Sequence, residues 1–484
     1  MDNDTIRIIV STDNHLGYQE KDAVRGNDSF AAFEEVLVRA KEQNADFVLL
    51  AGDLFHENKP SRRTLHSAIQ ILQTHCFGED PVYIEVLSDQ EQNFKSSYGR
   101  VNYENPYQSI SMPVFAIHGN HDDPSRDGGN NDALAALDVL AASNLVNYFG
   151  KSDQCDDIEI NPVIIRKGPT IVALYGLGAI RDERLNRMWN SKKVKFVRPV
   201  EGQDRIFCIF ILHQNRDYGR GKKSCVHESM IPEWMDLVIW GNEHECQPEL
   251  AESLVGTFRI LQQGSSIATS LIEGESMSHP KHMGRLEIRE KQFRVLKIPF
   301  SQIRPFIFEE IVLKDNNTLD VHDPKLEESV KALLAAKVRQ LIRTARMESA
   351  AVASALPGKL FFRVAEPNQV LVRLRVDVSG GFPTLNVQRF AIDFVGQVAN
   401  PSDILLFSKS KAVSRVLRSV DSSAAGRDLS DLAHTLEDGE DDAINKIKIE
   451  ELVKESLECG NRVLKLLAEV DLQQGTSPVL APSC

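Results

Sequence analysis

Five short stretches hold the residue types that bind metal ions: Asp13-Asn14-His15, Gly52-Asp53, Gly119-Asn120-His121-Asp122, His213 and Gly241-Asn242-Glu243-His244. Carboxylate oxygen, imidazole nitrogen and amide oxygen together favour manganese, iron or zinc over calcium. The number of donors suits two divalent ions held about 3.5–4 Å apart, a pair that activates water near neutral pH and clamps a phosphate through the attack. Asp13, His15 and His244 can serve one ion. Asn120, His213 and Asn242 can serve the other, and Asp53 can bridge. His121 has no place left in that shell, so it can contact the phosphate or protonate the leaving oxygen. His56, three residues past Asp53, can do a related job or merely pack. The chemistry these groups allow is phosphoester hydrolysis.

Each stretch follows a run that reads as a buried strand: IRIIVST, DFVLLA, PVFAIH, RIFCIFIL and DLVIW. Each therefore sits just past the carboxyl end of a strand, where α/β sheets collect ligands. In D-x-H the two-residue period of a strand sends Asp13 and His15 to one side, and the spacing recurs at Asn242 and His244. Glycine before Asp53 lets the backbone turn sharply. Helices are expected over 29–43, from Pro60-Ser61 to about Cys76, and over 131–143, each with an apolar stripe. The alternation of strands and helices to 143, then β-rich sequence to 300, predicts an α/β fold with two packed sheets and helices outside. A second, smaller α+β domain is expected over 301–415, with a long helix over 324–347. An acidic, Ser/Gly-rich linker should cover 416–442, helices 443–472, and a disordered tail 473–484.

At 484 residues the chain is too long for one core. The seven cysteines are scattered and odd in number, which reads as reduced thiols in an intracellular protein. The start, MDNDTIRIIV, lacks the basic segment of a secretory signal, and no apolar run reaches the roughly 20 residues of a membrane span. A net charge of −13 argues against wholesale coating of nucleic acid, though not against a local basic cleft. Two basic stretches qualify: Arg181, Arg184, Arg187, Lys192 and Lys193 in one, Arg216, Arg220 and Lys222 in the other. Taken alone these are solvated faces; beside a phosphodiesterase cleft they become phosphate contacts. GRGKKS lacks the spacing of a phosphate-binding loop, so ATP binding by this chain is set aside. His227, His279 and His282 have no matching partners in the sequence and read as surface residues. Residues 78–112, polar and weakly periodic, read equally as an interaction surface or a disordered insertion.

The set D-x-H, G-D, G-N-H-D, H and G-x-x-H resembles the calcineurin-like metallophosphoesterases. The fuller strings TDNHLG, AGDLFHENKPS, FAIHGNHDDP, LHQNR and WGNEHEC resemble the nuclease subunits of eukaryotic MRN/MRX double-strand-break repair complexes, the meiotic-recombination-eleven type, over about residues 5–410. The resemblance implies a four-layer sandwich, two Mn(II) ions, and single-strand endonuclease and 3′-to-5′ exonuclease activity on DNA in the nucleus. It implies a homodimer through the helices after Asp53 and after His121, with the stripes Leu65, Ile69, Leu72 and Leu134, Leu137, Leu140. It further implies a DNA-capping domain at 301–415, docking of an SMC-like ABC ATPase on 443–469, and docking of a nibrin-type subunit on 78–112. One position departs: the family carries His where this chain has Asn242. An amide oxygen is the weaker ligand, so a weakened second metal and reduced nuclease activity are expected. Two rivals stand beside this reading, a phosphatase of the same fold and a nuclease-weak scaffold that binds DNA ends. Phosphatase relatives would show G-N-H-E and G-D-x-V-D-R-G, where this chain has GNHDDP and GDLFHENKPS.

Overall fold

The computed structural model describes residues 4–124, 133–152, 157–199, 202–218, 223–352 and 360–409. They belong to one compact unit, Met1–Ser419. The expected linker, the helices at 443–472, the tail, Arg220 and Lys222 lie outside the described residues.

Two sheets face each other. In the six-stranded sheet the strands Ile6–Ser11, Phe47–Ala51 and Val114–Ile117 run parallel as neighbours, and the hairpin His282–Arg289/Gln292–Pro299 pairs antiparallel with the first. In the seven-stranded sheet, Ile206–His213 runs parallel between Thr170–Leu177 and Leu237–Gly241. These central strands are apolar over most of their length, Arg7 being the charged exception, because both of their faces are covered. Alternate residues then divide between two cores. Ile6, Ile8, Val10, Phe47, Leu49, Phe115 and Ile117 meet Val172, Leu174, Phe207, Ile209, Ile211 and Ile239 between the sheets. Ile9, Val48, Leu50, Val114 and Ala116 meet the helices Asp28–Glu42, Arg62–Cys76 and Ala136–Ala142 outside. The outer face of the second sheet packs on Leu185 and Met188 of the helix Asp182–Asn190. The order is helices, sheet, sheet, helix, the four layers expected from the sequence.

The helix expected over 131–143 is shorter, Ala136–Ala142, because Asp138 turns back to accept the Ala135 N–H (2.7 Å) and caps it there. Residues 78–112 are ordered: Phe94 and Val101 are fully buried and Ile84 and Val86 nearly so, all in the core between the sheets. The apolar stripes assigned to a dimer interface divide. Leu72, Leu137 and Leu140 are fully buried in the core under the first sheet, and Leu65 and Ile69 are packed against it. A helix lying on a sheet spends its apolar stripe on that sheet, so Leu72 and Leu137 are core residues rather than surface. Leu134 alone of that set is widely exposed, at 57%.

Beyond residue 300 a separate core forms. The strand Phe306–Val312 pairs parallel with Leu371–Asp377, and that with Leu405–Ser408. The helix Leu326–Val352, longer than expected, packs Val330, Leu334, Val338, Leu341 and Ala345 on the sheet they form. One helix of the sandwich, Asp28–Glu42, receives this region through three carboxylates. Asp28 holds Arg304 at 2.8 and 3.0 Å. Glu34 accepts the Phe361 and Phe362 N–H groups (3.0 and 2.9 Å), and Glu35 accepts those of Ser301 and Gln302 (2.9 and 2.7 Å).

Candidate metal centre

The loops after the parallel strands interlock by backbone bonds before any side chain meets. Asp13 N–H donates to Gly52 O (3.1 Å) and His15 N–H to Asp53 O (3.0 Å). His213, the last residue of its strand, shares the inner-face phase of Phe207, Ile209 and Ile211, so it points at the opposite sheet and donates from Nδ1 to Ala51 O (2.9 Å). Asp13, His15, Asp53 and Asn242 all hold positive φ (51°, 47°, 48° and 76°). Four such residues in one pocket mark backbone strain held for a purpose. Gly119 is required by close approach, since a Cβ there would lie 1.9 Å from Asp53 Oδ1.

The side chains converge at the rim between the sheets. Asp13 Oδ1 lies 3.5 Å from His244 Nε2, 3.8 Å from His213 Nε2 and 3.9 Å from His15 Nε2. Asp53 Oδ2 lies 3.3 Å from His213 Nε2 and 3.8 Å from His15 Nε2. Asn120 Oδ1 is 3.2 Å from His213 Nε2, and the Nε2 atoms of His15 and His244 face each other at 3.2 Å. Asp13 Oδ1 and Asp53 Oδ2 are buried and accept no hydrogen bond. Two orphaned carboxylate oxygens amid imidazole nitrogens are costly unless cations lie between them. The donor set therefore fits divalent metal ions. Asp13 belongs to both ligand groups, Asp13–His15–His244 and Asp13–Asp53–His213, so the geometry lets Asp13 as well as Asp53 span two ions.

The sequence-predicted residues fall into place unevenly. Asp13, His15, Asp53, Asn120, His213 and His244 are brought together. Asn242 turns its amide Nδ2 to Asn215 Oδ1 (2.8 Å), and its backbone N–H donates to Asp13 Oδ2 (3.1 Å). His56 and His121 stack at 5.1 Å, His121 Nδ1 donates to the His56 carbonyl (2.7 Å), and His56 Nδ1 is 3.3 Å from His15 Nδ1. Both therefore flank the centre, with His15, His56 and His121 close enough to form a third ligand group. Arg184, Arg187 and Lys193 line an open pocket of about 500 Å³, and Arg181 and Lys192 are exposed near it in sequence. Arg216 is committed inward instead, to Gln262 (3.0 Å), to Glu228 (3.5 Å) and over the Trp240 ring. His227 is no bare surface residue: its Nδ1 meets Asp217 Oδ2 at 2.9 Å.

Further residues hold the ligands in place. Asp122 is fully buried and accepts from Gly119, Leu54 and Phe55 N–H (2.6, 2.8 and 3.2 Å), tying two ligand loops together. Burial, and then the neighbouring Asp53, push its carboxyl up to about 7. Behind His244, Nδ1 meets Thr269 Oγ1 (2.6 Å) and lies 3.7 Å from Glu275 Oε1, while Lys281 Nζ holds Glu275 Oε2 (3.0 Å). Such partners fix which ring nitrogen faces a metal. Asp122 belongs to the G-N-H-D string and was within reach of sequence reasoning; Thr269, Glu275 and Lys281 were not.

Charge in the centre follows from burial and proximity. Burial lowers His213, but Asp53 and Asp13 overcome it and raise the ring to about 9. Burial likewise opposes protonation of His244, and the nearby carboxylates of Asp13 (3.5 Å) and Glu275 (3.7 Å) raise it to about 10. Burial holds His15 down at about 3. At pH 7 the metal-free centre therefore carries protons on His213 and His244 that a ligand must lose. Binding of divalent metal ions should release about two protons per chain, and affinity should weaken as pH falls. Calorimetry at pH 7 in two buffers of different ionisation enthalpy reads this directly; identical heats in both would contradict it.

The comparisons agree with this geometry. A model of the calcineurin-like phosphoesterase family matches residues 6–246, and one described as the Mre11 DNA-binding presumed domain matches 293–477. Proteins named double-strand break repair protein MRE11 are similar along most of the chain. That of Arabidopsis thaliana is 47% identical over 429 residues, 87% of this chain and 56% of its own length. That of Oryza sativa subsp. indica is 48% identical over 419 residues, covering 84% and 56%, and that of Mus musculus 44% over 412 residues, covering 85% and 56%. The chain thus spans a little over half the length of the curated relatives it matches. With the ligand loops in place at the rim of a four-layer sandwich, the chain belongs to the Mre11 family of calcineurin-like phosphoesterases.

Proposed function

We propose that this chain is a manganese-dependent DNA nuclease of double-strand-break repair, cutting single strands internally and degrading DNA 3′ to 5′. The observation that carries the reading is the pair of orphaned oxygens, Asp13 Oδ1 and Asp53 Oδ2, set among His15, His213 and His244. Asp13, His15 and His244 would hold one ion; His213, Asn120 and Asp53 the other. When bound, the pair supplies activation of water and stabilisation of charge on a phosphodiester. The chain's own groups do the rest. His121, oriented by its bond to the His56 carbonyl, turns Nε2 away from that carbonyl, where a protonated ring could pass its proton to the leaving oxygen. Arg184, Arg187 and Lys193 offer charge to a phosphate backbone. Homodimerisation, docking of an SMC-like ATPase on 443–469 and of a nibrin-type subunit on 78–112, capping of DNA by 301–415, and a nuclear setting belong to the same reading. The names of the relatives, and the family model that matches residues 293–477 of this chain, support its repair context.

One observation favours a second reading, a DNA-end-binding scaffold with weak cutting. The Asn242 amide points at Asn215, so the second ion loses a ligand that an imidazole could supply. A manganese-dependent assay on single-stranded circular DNA, run on the chain as given and on Asn242→His, separates the readings. Asn242→His should raise turnover at least about tenfold, the scale of a strengthened ligand shell. Silence in both proteins with intact DNA binding supports the scaffold, and cleavage of phosphomonoesters instead of DNA supports a phosphatase.

A further inference from the structure

Away from the metal centre a second group of ligand-type side chains gathers at the base of the loop after the strand Ile206–His213. Arg216 and Val226 form an isolated parallel bridge, and Val226 N–H donates to Asn215 O (3.0 Å). That bridge sets Asp217 beside His227. Cys225 and His227 flank Val226 in extended chain, so their side chains leave the same side. His227 Nδ1 meets Asp217 Oδ2 at 2.9 Å, and its Nε2 faces Cys225 Sγ at 4.0 Å. One donor atom from each of the three lies within 4.8 Å of the others. Cys225 is 1% exposed, while the Asp217 side chain is 50% exposed, so the group is closed on its sulfur side and open on its carboxylate side.

We propose that Asp217, Cys225 and His227 form a binding site for one zinc-class divalent ion, distinct from the catalytic pair. Thiolate, imidazole and carboxylate are the ligand types of tetrahedral zinc, and three protein ligands leave the fourth position to solvent. Two ligands on such an ion stand roughly 3.5 Å apart by the bond lengths involved. The sulfur faces Nε2 at 4.0 Å while Asp217 meets Nδ1 at 2.9 Å, so filling the site requires His227 to give one nitrogen to the ion and Asp217 to leave Nδ1 or the ring to turn. Binding replaces the thiol proton by the metal: the S–H bond breaks, the S–metal bond forms and one proton leaves to solvent. The net charge of the filled site is zero, with one negative charge each on Cys225 and Asp217 against the doubly charged ion. The sulfur sets the site apart chemically, since the other ligand groups found among the described residues contain only Asp and His. A hard ion such as manganese should prefer those, and a thiophilic one this site. An ion here joins the chain at Asp217 to the chain at Cys225 and His227. It also steadies Asn215, which bonds both the Ser224 carbonyl and the Asn242 amide of the catalytic rim.

Cobalt(II) added to the reduced full chain under anaerobic conditions tests the assignment, because thiolate-to-cobalt charge transfer reports sulfur ligation. The expected result is a near-ultraviolet charge-transfer band saturating at one cobalt per chain. It should be lost in Cys225→Ser, kept in Asp53→Asn, and shifted to at least about tenfold weaker cobalt binding in Asp217→Asn. Absence of the band, or its survival in Cys225→Ser, overturns the proposal. Should Cys225→Ser fail to fold by circular dichroism, His227→Ala gives the same decision: survival of the band there overturns the site.

Discussion

On the proposed function, Asp53→Asn should reduce manganese-dependent DNA cleavage by about 10³-fold or more, the scale of losing one preorganised charge-stabilising group or worse. The variant keeps the shape of the loop. Asp53 Oδ1 accepts the His121 N–H at 2.8 Å, and an amide oxygen can do the same. What it removes is the charge at Oδ2, one of the two orphaned oxygens of the centre. Metal affinity should fall with activity. A second readout separates loss of charge from loss of fold. Asp53 and Asp13 together hold His213 up at about 9 against its burial, so in metal-free Asp53→Asn the His213 ring should titrate at lower pH. Nuclear magnetic resonance of the imidazole follows that shift. Unchanged cleavage, or an unchanged His213 titration, would contradict the account.

The second large effect concerns stability. Arg304 is 5% exposed. Its guanidinium bonds Asp28 through two nitrogens and reaches the carbonyls of Val24 (2.8 Å), Ala365 (2.8 Å), Glu366 (3.2 Å) and Gln369 (2.5 Å). One side chain thus joins the sandwich to the region beyond residue 360. Arg304→Ala leaves Asp28 as a buried carboxylate without its partner and takes the guanidinium from the Val24, Ala365 and Gln369 carbonyls, the Glu366 carbonyl keeping the Gln369 N–H, which should cost about 3–5 kcal/mol. The shift of the urea midpoint measures it. Asp28→Ala added to Arg304→Ala should then cost far less than Asp28→Ala alone, because the partner is already gone. Additive costs would mean that the pair does not act as a unit.

The sequence revealed most of the centre because its chemistry sits at predictable places. A continuous apolar run such as RIFCIFIL signals a strand covered on both faces, and the residue after it must lie at the sheet's rim; that placed His213, and the same logic placed Asp13, Asp53 and His244. What stayed hidden depends on contacts across long stretches of chain. Glu275 meets His244 over a separation of 31 residues, and Arg304 meets Asp28 over 276. No local pattern encodes such a meeting. Stripes misled in another way: Leu72 and Leu137 have the spacing of an interface, but an apolar stripe does not say whether a sheet or a second copy covers it, and here the sheet does. His227 looked unpartnered because Asp217 reaches it through a bridge between chain segments ten residues apart.

Diffraction from crystals soaked in manganese, recorded where manganese scatters anomalously, tests the central claim most directly. The account predicts two peaks at the rim between the sheets, one beside Asp13, His15 and His244 and the other, weaker in this chain, beside Asp53, Asn120 and His213. Peaks elsewhere, or none with those six side chains unmoved, would contradict it.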